Sequence, residues 1–144
     1  MTPGDILIVS EPVVITSATT PASGAGSSVI KRLGESLGYH LASKLANQAT
    51  PFATLLPLFS EIFTSEEILY AASRDIQATV DRDSACSVYS TPFLYFKGFL
   101  ALQAYRATHQ LWHKGNQSLA LMLQHSISTH FAVDIHPAAK IGSG

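Results

Sequence analysis

Cysteine is nearly absent from these 144 residues: Cys86 stands alone, so no disulfide can form within the chain. Charge is scarce as well, with 9 Lys and Arg against 10 Asp and Glu and a formal net charge of −1. Such a balance leaves no electrostatic footprint for nucleic acid or an anionic membrane. Long apolar runs are missing too. The longest, around Phe93 to Leu102, is interrupted by Lys97 and Gly98 and falls short of a bilayer span. Residues Met1 to Ser28 lack the basic start of a secretory signal and the arginines of a mitochondrial presequence. Together with the lone thiol, these absences point to a soluble protein of a reducing compartment, the cytoplasm, with neither nucleic acid nor membrane as partner.

What is present is apolar bulk, 47% of the chain, enough for one domain with a sizeable core. Residues 1–28 are rich in Ser, Thr, Pro, Ala and Gly and are expected as a flexible leader, although Ile6–Val9 and Val13–Ile15 could pair as strands. From Val29 onward helical spacing takes over. Ile30, Leu33, Leu37, Leu41 and Leu45 recur at three and four, one helical stripe. Gly34 and Gly38 beside it are expected as two weak points in an ordinary helix, the alternative being a close approach of another backbone at GxxxG spacing. After Thr50-Pro51 a short apolar helix, Phe52 to Phe63, must be kinked or split by Pro57. Thr64-Ser65-Glu66-Glu67 reads as a capping box opening a third helix on Ile68, Leu69, Ala72, Ile76 and Val80, with Arg74, Gln77 and Asp81 outside. The helix dipole disfavours a carboxylate in its last turn, which assigns Asp83 to the following loop.

The chain is organised around the helix expected from Thr91-Pro92, a capping hydroxyl and a first-turn proline, to His113. Its apolar residues cover more than one face, so it is buried among other helices. Gln103, Arg106 and His109 share a side that must meet water or hydrogen-bonding partners. Gly115-Asn116 ends this helix and caps the next, built on Leu119, Leu123, Ile127 and Phe131, and so short a turn makes the two an antiparallel pair.

After Phe131 the period changes. Ile135-His136-Pro137-Ala138-Ala139-Lys140-Ile141-Gly142 sets two isoleucines six residues apart, the spacing of a hexapeptide β-helix. The fold class expected is therefore mostly α: a helical domain at 29–131, then the first rung of a left-handed parallel β-helix at 132–144. A single rung cannot bury its own apolar face.

YSTPFLYFKGFLALQAYRATHQLW followed by VDIHPAAKIGSG resembles serine O-acetyltransferase, at the join of its helical domain and its β-helix. SLGYHLASKLAN and DIQATVDRD extend the likeness from about Ser36 onward, whereas the leader does not share it. The resemblance implies acetyl transfer from acetyl-CoA to L-serine in cysteine biosynthesis, with a histidine of the β-helix as base. By that match Asp134 orients the base and Asp83, of the RD dipeptide, binds the ammonium of serine, chemistry that suits a carboxylate. Taken without the family, Asp134 would only cap a turn and Asp83 would be a solvated loop charge. The loop departs from the family's RDPA, with Ser84 for proline and Ser87 for an acidic residue, which puts its stiffness in question.

Other reactive residues read as structural. His109 and His113 stand at i, i+4 but lack further ligands at zinc spacing, so no metal is expected. His136 reads as a hydrogen-bonding residue and Cys86 as a passive small one. The base histidine, the grip on the serine carboxylate, the acetyl-CoA groove and the tail that docks on O-acetylserine sulfhydrylase fall after Gly144 in the family. This portion is therefore expected to bind no cofactor, acetyl-CoA being the co-substrate of the full-length enzyme, and to be inactive alone. The family's homo-oligomer, a hexamer made of two trimers, gives the alternative: an inactive helical oligomerisation module.

Overall fold

The computed structural model describes residues 24–144, with side chains from Ser28 onward, and among these residues it contains six helices and no strand. They are α1 (Gly24–Leu45), α2 (Phe52–Ile62), α3 (Glu66–Arg82), α4 (Ser90–Tyr95), α5 (Lys97–His113) and α6 (Gln117–Phe131). The helix α1 starts inside the stretch expected as leader: residues 24–28 are helical. Extending a nucleated helix by one residue costs far less than starting one. The rest of the leader, with its possible strands, lies outside the described residues.

α1 pairs with α2 and α5 with α6, and α3 and α4 lie against α5. Their shared core includes Leu37, Leu41, Leu55, Phe59, Leu100 and Leu123, all buried. The glycines of α1 decide how closely its partner comes. A Cβ on Gly34 would overlap the carbonyl oxygen of Phe63, and one on Gly38 would lie 3.4 Å from the Phe59 carbonyl. Close backbone approach is therefore the role of Gly34, not the weak point expected, whereas at Gly38 an added Cβ would make ordinary contact. Without a side chain at Gly34 the end of α2 can rest on the α1 backbone.

Pro57 does not split α2, which runs on to Ile62. The carbonyl deprived of its donor is that of Ala53, one turn earlier on an exposed stretch where water can serve it. The capping box ahead of α3 does not form. Ser65 is the N-cap residue, with no side-chain bond to the helix, and the Thr64 hydroxyl instead donates to Glu61 O at 2.6 Å. With so few residues between α2 and α3, both the amide and the hydroxyl of Thr64 turn back to a carbonyl in the last turn of the helix just ended.

The central helix is in two pieces. Phe96 adopts an extended conformation (φ −84°, ψ 103°), and the chain begins again as α5 at Lys97. The first piece starts at Ser90, after Tyr89, so Thr91 is not its cap. An unbroken rod would carry apolar residues on every side. Breaking just ahead of Gly98, a weak helix former, lets Phe93 stack on His40 of α1 (ring centroids 5.2 Å) while Phe99 and Leu100 enter the core. Gly115 has the positive φ expected of it (+87°), and Asn116 precedes α6 without a side-chain cap. Ala132, with φ 56°, ends α6 in the left-handed region that favours glycine.

Candidate functional site

Two positions on α5 and one on α3 meet in the interior. Arg106 and Asp75, 8% and 7% exposed, form an ion pair with Arg106 Nη2 2.7 Å and Nε 3.1 Å from Asp75 Oδ2. Gln103, fully buried, donates its amide to the same oxygen at 2.8 Å. The side of α5 that had to find partners thus finds them in α3. Sequence reasoning placed Arg74, Gln77 and Asp81 on the outside of α3 and assigned nothing to Asp75. The signal was there: Asp75 is three residues after Ala72 and next to Ile76, on the apolar stripe. A carboxylate in that position must be paired when its helix is buried.

The same face of α5 holds the last part of the chain. His109 Nδ1 lies 2.7 Å from Pro137 O, and because a carbonyl only accepts, that nitrogen carries the hydrogen. The Tyr105 hydroxyl donates to Ala139 O. Burial raises the pKa of the Tyr105 phenol, against a hydrogen bond with the Ile141 backbone and the nearby Arg106 guanidinium. Arg106 Nη2 also donates to Gly142 O at 2.8 Å, and Gly144 N donates to the second oxygen of Asp75, Oδ1, at 3.0 Å. His136 Nδ1 accepts from Ala138 N at 3.1 Å while its ring meets Trp112 edge-on. Residues 132–144 thus form no ladder of their own. Backbone groups that a neighbouring coil would satisfy in a β-helix are met here by helix side chains.

Between the C-terminal end of α3, the α4–α5 break and this segment runs an open groove of about 1260 Å³. Asp83 stands in it as the residue following α3, exposed, with Arg82, Lys97 and Gly142–Gly144 among its neighbours in the lining. The loop whose stiffness Ser84 and Ser87 put in question is closed by Asp83 itself, whose Oδ1 accepts from Ala85 N at 2.9 Å while its carbonyl accepts from Cys86 N. A carboxylate at one point and two cationic side chains nearby suit a small zwitterion. Asp134 is not part of this lining. It follows α6 and accepts from Gln124 Nε2 at 2.9 Å, so this single chain does not bring the two expected site aspartates into one pocket.

The remaining reactive groups have structural partners. Cys86 is buried with Sγ 3.6 Å from Val88 O. His109 and His113 touch ring to ring (centroids 4.4 Å), and among the described residues no three His, Cys, Asp or Glu side chains converge as metal ligands would. No helix among them is long and apolar enough to cross a membrane.

Comparison with known proteins places these observations. Residues 25–104 match the family model described as serine acetyltransferase, N-terminal. Serine acetyltransferase of Salmonella typhimurium is 50% identical over 115 residues, 79% of this chain and 42% of that protein. A solved serine acetyltransferase in complex with CoA is 52% identical with a TM-score of 0.75, over 77% of this chain and 48% of that one. A soybean serine acetyltransferase complexed with serine is 44% identical, also at a TM-score of 0.75, over 77% and 46%. The chain spans less than half the length of these relatives.

Proposed function

Because this chain belongs to the serine acetyltransferase family, we propose that it forms the N-terminal part of an enzyme moving the acetyl group of acetyl-CoA onto the hydroxyl of L-serine. The products are O-acetylserine and CoA, in cysteine biosynthesis. The observation that carries this reading is the Asp83 groove: an exposed carboxylate at the end of α3, beside Arg82 and Lys97, facing Gly142–Gly144. Asp83 takes the ammonium of serine through charge-assisted hydrogen bonds. Residues 132–144 lead into the first coil of a left-handed parallel β-helix, for which the six-residue spacing of Ile135 and Ile141 is the support. Asp134 orients a histidine of that β-helix, which removes the proton from the serine hydroxyl as it attacks the thioester. Gln124, which donates to Asp134 at 2.9 Å, holds the carboxylate at the foot of α6 until that partner is met. The portion itself holds no cofactor; acetyl-CoA is consumed as co-substrate.

Since this chain leaves Asp83 and Asp134 in different places, the complete site requires residues supplied from elsewhere in the enzyme or from another copy. Tyr70 and Val88, 64% and 48% exposed, are apolar surface that supports assembly into the family's homo-oligomer. Light scattering on the chain alone should then report self-association. The enzyme works in the cytoplasm, and a sulfhydrylase partner would be met by residues other than these.

The reading is tested by joining this chain to the part of the Salmonella typhimurium protein that it does not match. The chimera should release CoA thiol from acetyl-CoA when serine is added, whereas the chain alone should give no turnover above background. Asp134→Asn should lower kcat by about 10²–10⁴-fold, and Asp83→Asn should raise KM for serine about tenfold or more with KM for acetyl-CoA unchanged. A chimera that folds without serine-dependent release would overturn the reading. A rate in the isolated chain that Asp134→Ala abolishes would overturn the expectation that the chain alone is inactive.

A further inference from the structure

The buried ion pair between α3 and α5 does more than join two helices. Asp75 uses only one carboxylate oxygen, Oδ2, for Arg106 and Gln103, leaving Oδ1 to accept from Gly144 N. Arg106 Nη2 binds Asp75 and also donates to Gly142 O. The pair therefore turns one acceptor and one donor toward the chain, and these meet the carbonyl of one residue and the amide of the second residue after it. In an extended segment those two groups point to the same side, the side a neighbouring strand would pair with. An unpaired strand edge at the start of a solenoid has to be covered, and terminal repeats need caps.

We propose that the Asp75–Arg106 pair is a cap standing in for the missing neighbouring strand at Gly142–Gly144, and that it thereby positions the chain leaving the helical domain against the Asp83 groove. The inference rests on the reading of residues 132–144 as the start of a β-helix. Asp75 lies on α3 about two turns ahead of Asp83, the residue that follows the helix, and both line the groove together with Gly142–Gly144. The carboxylate that seats the departing chain is thus on α3, and the carboxylate offered to serine belongs to the first residue after that helix. Tyr105 and His109 add donors to Ala139 O and Pro137 O from the same helix face as Arg106. Asp75 and Arg106 are positioning residues in this account: they touch neither substrate but set the distance between Asp83 and the β-helix that Gly144 leads into.

Two measurements test the cap. The first uses this chain, uniformly ¹⁵N-labelled, with amide hydrogen exchange read by NMR. The Gly144 amide should exchange at least about tenfold more slowly than in an unstructured peptide. In the double variant Asp75→Leu/Arg106→Met, chosen to keep the site filled with apolar side chains, it should exchange at the free rate while the Ala104 amide in α5 stays protected. If Gly144 is unprotected in the parent, or equally protected in a folded double variant, the cap is wrong. The second uses the chimera described above. There the double variant should lose about 10²-fold in kcat/KM for serine with KM for acetyl-CoA and the thermal midpoint unchanged, and Arg106→Lys, which keeps the charge but not the fork, should fall between. Parent kinetics in the folded double variant would overturn the positioning role. An inactive parent chimera would instead overturn the enzymatic reading, and the exchange measurement would still decide the cap.

Discussion

Gly34 and Gly38 belong to one sequence pattern yet have different consequences. Both lie on the face of α1 that α2 covers, but only at Gly34 does an added Cβ run into backbone, the Phe63 carbonyl, which cannot rotate away as a side chain could. Replacing glycine by alanine inside a helix would gain about 1 kcal/mol from propensity alone, and forcing α2 outward should cost about 1–3 kcal/mol. Gly34→Ala is therefore expected to destabilise the chain despite the better helix former, whereas Gly38→Ala, with contacts at 3.4 Å, should be neutral or stabilising. Urea denaturation of the two variants reads the difference. Equal midpoints would mean that α2 does not rest on Gly34. The spacing of these glycines was legible in the sequence, but what stood above them was not. Close approach depends on a helix placed by its own core contacts, and nothing local to α1 encodes it.

At the level of elements, α4 is the piece with least support. It is a helix of 6 residues whose attachment to α1 runs through the stack of His40 on Phe93. Burial, then the charge of Lys44, lower the His40 pKa below its ordinary value of 6.5, against a hydrogen bond with the Leu94 backbone that raises it. A folded-state pKa below the unfolded one means the unfolded chain binds the proton first. The stabilisation is thus complete above about pH 6.5 and declines as the pH falls toward the lower folded value. Thermal midpoints measured from pH 7.5 down to pH 5 should fall, and His40→Phe, which keeps a ring on Phe93, should flatten that decline. An unchanged slope would assign the pH dependence to other groups. The break that creates α4 was not foreseen, although Lys97 and Gly98 were visible as an interruption. Helical spacing continues across Phe96, and only the competing demands of α1 and the core show that one straight helix cannot satisfy both.

For the molecule as a whole, the Asp75–Arg106 pair ties α3, α5 and the final residues together. Removing one partner strands the other as a buried charge, so Asp75→Ala or Arg106→Ala alone should cost about 3–5 kcal/mol, whereas replacing both by apolar residues should be near neutral for the helical core. A double-mutant cycle in guanidinium chloride gives the coupling, and additive losses would show that the two charges do not depend on each other. The amino-acid order by itself determined that residues 29–131 are mostly helical, where most helices begin and end, that α5 and α6 form a hairpin, and which family the motifs belong to. Apolar spacing, prolines, glycines and short turns act over one or two turns of chain. Only the tertiary structure decided that Asp75 is the partner of Arg106, that Thr64 serves the helix behind it, and that residues 132–144 lie on α5. It also decided that Asp83 lines a groove in which Asp134 has no part. Each of these depends on groups far apart in sequence, whose meeting follows from how buried faces pack and from the need of every buried charge and backbone group to find a partner.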